Sequence, residues 1–260
     1  MNYLKNDNII KKQFHTNGWV LVKKIFSRNE VTEINKKIDI FLKKNIKKYE
    51  GKSVNFVGNK IETEIKNINS FHSLSDSSYI KKKSKNKKII NIVKKLLEAK
   101  PKYIASELFA KPASKGLKSP MHQDNYYWCL KNGKALTVWV ALDPVSSKNG
   151  GIKYYSCSHK LGVVKHEPSF AKGSSQKVSK INKYKKYRQI CPKLSPGDAL
   201  FHHSEIIHGS SPNKSGLRRR GLTFQFKDYA AKYDNEYDRN AGTLTSIAKT
   251  FAGPLPQDFI

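Results

Sequence analysis

The apolar positions of this chain change their spacing near residue 100, from a helical repeat to short alternating runs. Near the start, "GWVLVKKIF" reads as a short strand, and Ser27 then opens the segment 28–49 with Glu30 three residues further on, the pattern of a capping box. Within that segment Val31, Ile34, Ile38, Ile40 and Leu42 recur at roughly helical spacing, which predicts an amphipathic helix with a lysine face. The run "SYIKKKSKNKKIINIVKKLLEAKP" repeats the theme: Ile89, Ile90, Ile92, Val93, Leu96 and Leu97 form a stripe that ends before Pro101.

From about 103 onward, runs such as "ALTVWVALDPV", "GGIKYYSCSH", "DALFHHSEIIHG" and "RGLTFQFKDY" are rich in aromatic and β-branched residues and are separated by turn residues. Helices first and strands afterward predict an α+β protein whose N-terminal helices buttress one face of a barrel or sandwich. Residues 1–100 form the mainly helical buttress, 101–230 the β core and 231–260 a C-terminal segment of one domain spanning 1–260. The stretch 165–190 is polar, lysine-rich and without periodicity, so it reads as an irregular insertion of the kind that often serves as a lid. Its lysines Lys172, Lys177, Lys180, Lys183, Lys185 and Lys186, with Tyr184 and Tyr187 among them, could draw in an acidic or phosphorylated substrate; a solvated loop without substrate contact is the alternative.

Composition narrows the classes. The chain of 260 residues is long enough for a substantial core. It has no apolar run long enough to span a membrane and no secretory leader at its start, so a soluble, cytoplasmic protein with no membrane partner is expected. Cys129, Cys157 and Cys191 are far apart and match no zinc pattern, which predicts reduced thiols. The formal charge of +30 would suit a nucleic-acid partner, yet 44 lysines against 6 arginines, scattered along the chain, argue against one.

The stretch "SPMHQDNYYW" carries candidate chemistry. His122 and Asp124 are two apart, so in an extended strand both side chains reach one point, as a metal requires; alone the pair is a weak signal, since a surface polar pair looks the same. A second histidine from elsewhere would complete the facial triad of non-haem Fe(II) oxygenases. His15 and His72 fall in the helical half, and His159 and His166 flank the insertion. In "GDALFHHSEIIHGSSPN", His208 precedes a turn at a strand end and becomes the third ligand. Read as one continuous strand, this segment sets His202 about 20 Å from His208 and turns His203 to the opposite face, which excludes both. An open triad needs a co-substrate, and the usual 2-oxoglutarate brings a distal carboxylate that a fixed cation must hold. In "LRRRGLTFQF", Arg218 and Arg220 alternate with Leu222, Phe224 and Phe226, whereas Arg219 shares its face with Gly221, Thr223 and Gln225 and is the one aimed inward.

With these residues in view, the chain resembles the phytanoyl-CoA dioxygenase family of Fe(II)- and 2-oxoglutarate-dependent oxygenases, at "FHTNGWVLVKKIFS", "LFAKPASKGLKSPMHQDNYYW", "LTVWVALDPVSSKNGGIKYYSCSHKLG" and "PGDALFHHSEIIHGSSPNKSGLRRRGLTFQF". The resemblance implies a double-stranded β-helix (jelly roll, cupin-like) with flanking helices, iron held by His122, Asp124 and His208, and 2-oxoglutarate held by Arg219, eleven residues after the late histidine. It further implies co-substrate contacts from Ser210 and Trp139, and for Lys111 either such a contact or mere solvation. Many relatives have Gly where this chain has Cys157, which puts the geometry of that turn in question. Halogenating relatives lack the metal-binding carboxylate, so Asp124 argues for hydroxylation. The implied activity hydroxylates an unactivated C–H bond of a small molecule with O2 while 2-oxoglutarate becomes succinate and CO2. Its competitors are a non-catalytic β-helix protein that binds an anionic ligand or nucleic acid, and an oxygenase that repairs nucleic-acid bases.

Overall fold

The computed structural model describes residues 2–49, 54–56, 65–74, 77–171 and 174–234. The C-terminal segment beyond 234, and Lys172 of the insertion, lie outside these residues. Helix α1 (Asn2–Asn17) leads into strand β1 (Trp19–Val22), and α2 (Arg28–Tyr49) starts where expected. Ser27 accepts from the Glu30 backbone N–H while the Glu30 carboxylate accepts from Ser27 N–H at 2.9 Å, so two otherwise orphaned donors are satisfied. The buried stripe of α2 is Val31, Ile34, Ile38, Phe41, Leu42 and Asn45. Ile40, expected in that stripe, is half exposed, because the true 3.6-residue period selects Phe41 instead.

Strands β2 (Val54–Phe56) and β3 (Ile65–Ile68) follow, so the first hundred residues carry strands as well as helices. The helix expected from 78 onward is two helices, α3 (Ser78–Lys83) and α4 (Lys87–Leu97). Asn86 divides them, since its side chain accepts from the N–H groups of Lys88 and Ile89 and so starts a new helix instead of continuing the old one. Along α4, Ile89, Val93, Leu96 and Leu97 are buried.

The β half comprises β4 (Pro101–Lys111), β5 (Ser119–His122), the single turn α5 (Asn125–Trp128), β6 (Ala135–Ala141), β7 (Ile152–Tyr155), β8 (His166–Ala171), β9 (Ser174–Val178), β10 (Gln189–Ile190), β11 (Ala199–His203), β12 (His208–Ser210) and β13 (Arg219–Asp228). Among the described residues these form a major sheet in the order β1-β11-β6-β13-β4-β3-β2 and a minor sheet in the order β10-β7-β12-β5. The two face each other as the halves of a jelly roll.

One face of the major sheet, with Leu108, Val138, Phe201, Leu222, Phe224 and Phe226, packs on the helices through Phe14, Ile34, Ile38, Ile89 and Val93. Each such side chain contributes roughly 1.5–3 kcal/mol of burial. Every residue of β6 is buried, as a central strand covered on both faces must be. Between the sheets, Trp139, Ala141, Ile152, Tyr154, Leu200 and Ile206 form a second core. The arginine pair on the helix side is tied down: Arg220 bonds Asp39 at 2.7 Å and so staples α2 to β13, and Arg218 meets Asp143 at 3.3 Å.

The insertion is more regular than its sequence suggests. Strands β8 and β9 form an antiparallel hairpin, and Val178, Ile181, Tyr184 and Tyr187 pack on Tyr155, Ile207 and Met121 of the minor sheet. Alternation along β9 is visible only once its partner is known, because a two-stranded hairpin needs no long apolar run. The three cysteines are free thiols, and among the described residues no helix is long and apolar enough to cross a membrane. Cys157 adopts φ 71°, the left-handed conformation that glycine favours, so the turn forms with cysteine in the strained position.

Candidate active site

His122 ends β5 and His208 begins β12, and the two are directly paired across the minor sheet. Asp124 lies just past the strand, at the start of α5, so alternation accounts for His122 and the turn into α5 for Asp124. One donor atom from each of the three lies within 4.8 Å of the others. Asp124 Oδ1 is 3.5 Å from His208 Nε2 and 3.7 Å from His122 Nε2. In each histidine Nδ1–H donates to the carbonyl two residues earlier, Pro120 at 2.8 Å and Ile206 at 3.0 Å, which fixes the tautomer and turns the Nε2 lone pair toward the carboxylate.

Burial, with the neighbouring imidazole, lowers His122 to about 4; burial likewise lowers His208 to about 4, and Asp124 opposes both shifts. Both rings are therefore neutral at pH 7 and available as ligands. Burial works to raise Asp124, but His208, His202 and His122 together hold it well below the usual carboxylate range. Three converging donors in their metal-binding protonation states, and no fourth from the described residues within the cluster, fit Fe(II) with open positions.

Across the barrel, the inner face of β13 presents Arg219, Gly221, Thr223 and Gln225, as alternation predicts. The Arg219 guanidinium is buried, lies 5.3 Å from the Trp139 ring, and donates from Nη2 to Gly150 O at 2.8 Å. Its Nε–H has no partner among the described residues, an orphan donor that a ligand carboxylate would satisfy. Gly221 is obligatory here because a Cβ would sit 1.9 Å from the Trp139 ring. Lys111, paired with Arg219 across β4 and β13, is buried rather than solvated, and its Nζ donates to Leu117 O and Ser211 O. Burial and the Arg219 charge depress it to about 6. Ser210 is buried two residues beyond His208.

One expectation fails. His202 is not remote: its ring centroid is 4.6 Å from that of His208, and its Nε2 is 3.3 Å from Asp124 Oδ2. The segment 199–208 is two strands, not one; β11 ends at His203 in the major sheet, the chain turns, and β12 starts at His208 in the minor sheet, so the inner faces of the two strands meet. His203 does face away, toward Phe14 and His159.

His166, set aside by sequence, is also near the site. Its Nε2 accepts from the backbone N–H of Gln123, between His122 and Asp124, at 3.1 Å, and its ring stacks on Tyr126. The Gln123 amide is locked in turn by Gly162 O and Val164 N, each at 2.8 Å. Thr137 donates to Asp124 Oδ2 at 2.6 Å. Thr137 shares a face with Trp139, so alternation along β6 could have found it; nothing local in the sequence marks His166, His202 or Gln123. Glu107, opposite Thr223 on the same inner face, bonds Gln225 at 3.2 Å, and burial with the Asp124 charge raises it to about 7.

A jelly roll that gathers two neutral histidines and an aspartate opposite a buried arginine defines a non-haem iron oxygenase. The sequence profile of the phytanoyl-CoA dioxygenase (PhyH) family matches residues 14–221, and the chain belongs to that family. It is similar to a probable phytanoyl-CoA dioxygenase of Caenorhabditis elegans, 22% identical over 94% of this chain and 84% of that one. It is also similar to a probable alpha-ketoglutarate-dependent hypophosphite dioxygenase of Stutzerimonas stutzeri, 24% identical over 82% of this chain and 75% of the other. In fold it matches EctD from S. alaskensis, a structure with 2-oxoglutarate and 5-hydroxyectoine, with a TM-score of 0.70 and 18% identity over 86% of this chain and 77% of that one. The protein is accordingly an Fe(II)- and 2-oxoglutarate-dependent oxygenase that uses O2.

Proposed function

We propose that the protein hydroxylates an unactivated C–H bond of a small molecule, with His122, Asp124 and His208 as its iron ligands and Arg219 as the anchor of the 2-oxoglutarate carboxylate. The observation that carries this reading is the pairing of a three-donor cluster on one sheet with a buried, partly unpartnered guanidinium on the other. When bound, iron and 2-oxoglutarate supply the oxidant for C–H cleavage as the keto acid becomes succinate and CO2. The chain's own residues do the rest. His122, Asp124 and His208 would hold the iron as three ligands, a set that would leave positions for co-substrate and oxygen. Arg219 offers Nε–H to the far carboxylate, held in plane by Gly150 and by the Trp139 ring. Lys111 lies beside Arg219 and bonds the carbonyl of Ser211, next to Ser210, and the wall of Trp139, Leu200 and Tyr154 excludes water, which strengthens each charge-assisted bond. A carboxylate at 124 would serve as a ligand where a halogenating enzyme needs room for halide, which favours hydroxylation over halogenation.

The test is a metabolite screen for compounds that accelerate succinate formation by the iron-loaded protein. Succinate formation that no compound accelerates, with iron and 2-oxoglutarate both bound, rejects a hydroxylase of small molecules. The finer reading is that the substrate is acidic and drawn in by Lys177, Lys180, Lys183, Lys185 and Lys186 of the insertion. Capture of such a substrate should weaken as salt rises while the 2-oxoglutarate requirement stays nearly constant. Capture that ignores salt would sink that part alone.

A further inference from the structure

The two oxygens of the Asp124 carboxylate have different surroundings. Oδ1 faces the Nε2 atoms of His208 and His122, at 3.5 and 3.7 Å. Oδ2 is turned the other way, toward Thr137 Oγ1 at 2.6 Å and His202 Nε2 at 3.3 Å. These two donors come from neighbouring strands, with Thr137 and His202 directly paired between β6 and β11. His202 is itself held: it is buried, and its Nδ1 is 2.9 Å from the Tyr154 hydroxyl. Tyr154 is fully buried and its ring stacks on Trp19 at 5.4 Å and an interplanar angle of 7°. A phenol has one proton to give, and the His202 Nδ1 is the nitrogen within its reach. The Asp124 carboxylate can only accept, so the proton of its bond to His202 lies on Nε2, and a Tyr154 hydroxyl that donates to Nδ1 keeps it there.

We propose that His202 is a positioning residue: with Thr137 it saturates Oδ2, so that Asp124 reaches the metal through Oδ1 alone. A single hydroxyl leaves a carboxylate free to swing about its own bond, whereas two donors on one oxygen set the plane. A carboxylate that could turn would chelate through both oxygens and take one of the positions that co-substrate and oxygen require. Tyr154 extends the same device outward by fixing which nitrogen of His202 donates. This inference rests on the iron site proposed above, and it assigns a role to a histidine outside the three ligands.

Co(II), whose visible bands report coordination number, serves as the probe of the full-length protein, without turnover. His202→Phe keeps the ring volume and removes the donor; His202→Gln keeps a side-chain N–H. In His202→Phe, Co(II) affinity should fall on the order of 10- to 100-fold, the usual cost of losing an outer-sphere partner. Its visible bands should weaken as the coordination number rises. His202→Gln should recover most of both, which a space-filling role would not produce. Tyr154→Phe should move the spectrum in the same direction by less, and it decides the matter if His202→Phe fails to fold. Wild-type affinity and spectrum in His202→Phe, or an unchanged spectrum in a folded Tyr154→Phe, overturns the inference. Wild-type protein that binds no Co(II) rejects the iron site itself and this inference with it. Wild-type protein that binds metal and makes succinate, beside a silent His202→Phe, rejects the positioning role only.

Discussion

The two sheets that enclose the site are held in contrasting ways. The major sheet has two long strands, eleven residues in β4 and ten in β13, and β13 is buried along almost all of its length. Its ladders and its apolar core set the backbone positions of Arg219, Trp139 and Thr137, and Gly150 O adds a single bond to the guanidinium. The minor sheet has only four residues in β5 and three in β12, yet it carries both His122 and His208. So short a ladder cannot aim side chains by itself. The aim comes from local bonds instead: His122 to Pro120 O, His208 to Ile206 O, and Gln123 to the 162–166 segment. A rigid sheet holds the anion end, and a network of side-chain bonds holds the metal end.

The largest effect should come from emptying the networked end. Asp124→Ala removes a ligand, so metal affinity should fall by more than the roughly 10- to 100-fold typical of an outer-sphere loss, and oxidation should stop. Metal titration and succinate assays check this, and unchanged turnover would reject the ligand assignment.

On the rigid end, Arg219→Ala leaves a desolvated carboxylate without its cation, which costs about 2–5 kcal/mol, so the 2-oxoglutarate requirement should rise upwards of about 30-fold. Arg218→Ala, which removes the half-exposed partner of Asp143, should change it little. Arg220→Ala should lower stability, by releasing Asp39 of α2, more than it affects the co-substrate. A stronger co-substrate effect from either neighbour would mean that the rigid sheet is not what aims the guanidinium.

Glu107 tests the cost of placing a second carboxylate on the rigid face. Its pKa is raised from 4.5 to about 7, so the fold disfavours its ionised form. The stability it contributes is complete below pH 4.5 and is lost as pH rises from there to about 7, by on the order of 2–3 kcal/mol. Urea denaturation of metal-free protein should therefore show Glu107→Gln gaining on wild type by that amount between pH 4.5 and pH 8. An equal gap at both pH values would contradict it.

The smallest effect belongs to the turn that follows β7. Cys157 holds a left-handed conformation at φ 71°, so Cys157→Gly should stabilise by about 1 kcal/mol, seen as a rise of a few degrees in melting temperature. A lower melting temperature would show that the thiol's packing outweighs the strain.

The sequence by itself determined what depends on local periodicity and on the chemical identity of residues. Capping at Ser27, the alternation that turns Arg219 away from Leu222 and Phe224, and the His-x-Asp pair could all be read directly, because helix and strand periods are properties of the backbone. Ile40 and the divided helix at Asn86 mark the limit of that reading, where a small error in phase or one competing side-chain bond changes the element. Only the tertiary structure decided that His203 ends one strand and His208 begins another in the opposite sheet, which brings His202 back onto Asp124. It likewise decided that the lysine-rich insertion folds as a hairpin and sets His166 on Gln123. The physical reason is common to both: which sheet a strand joins depends on hydrogen bonds to partners far away in sequence, and no pattern within the strand encodes them.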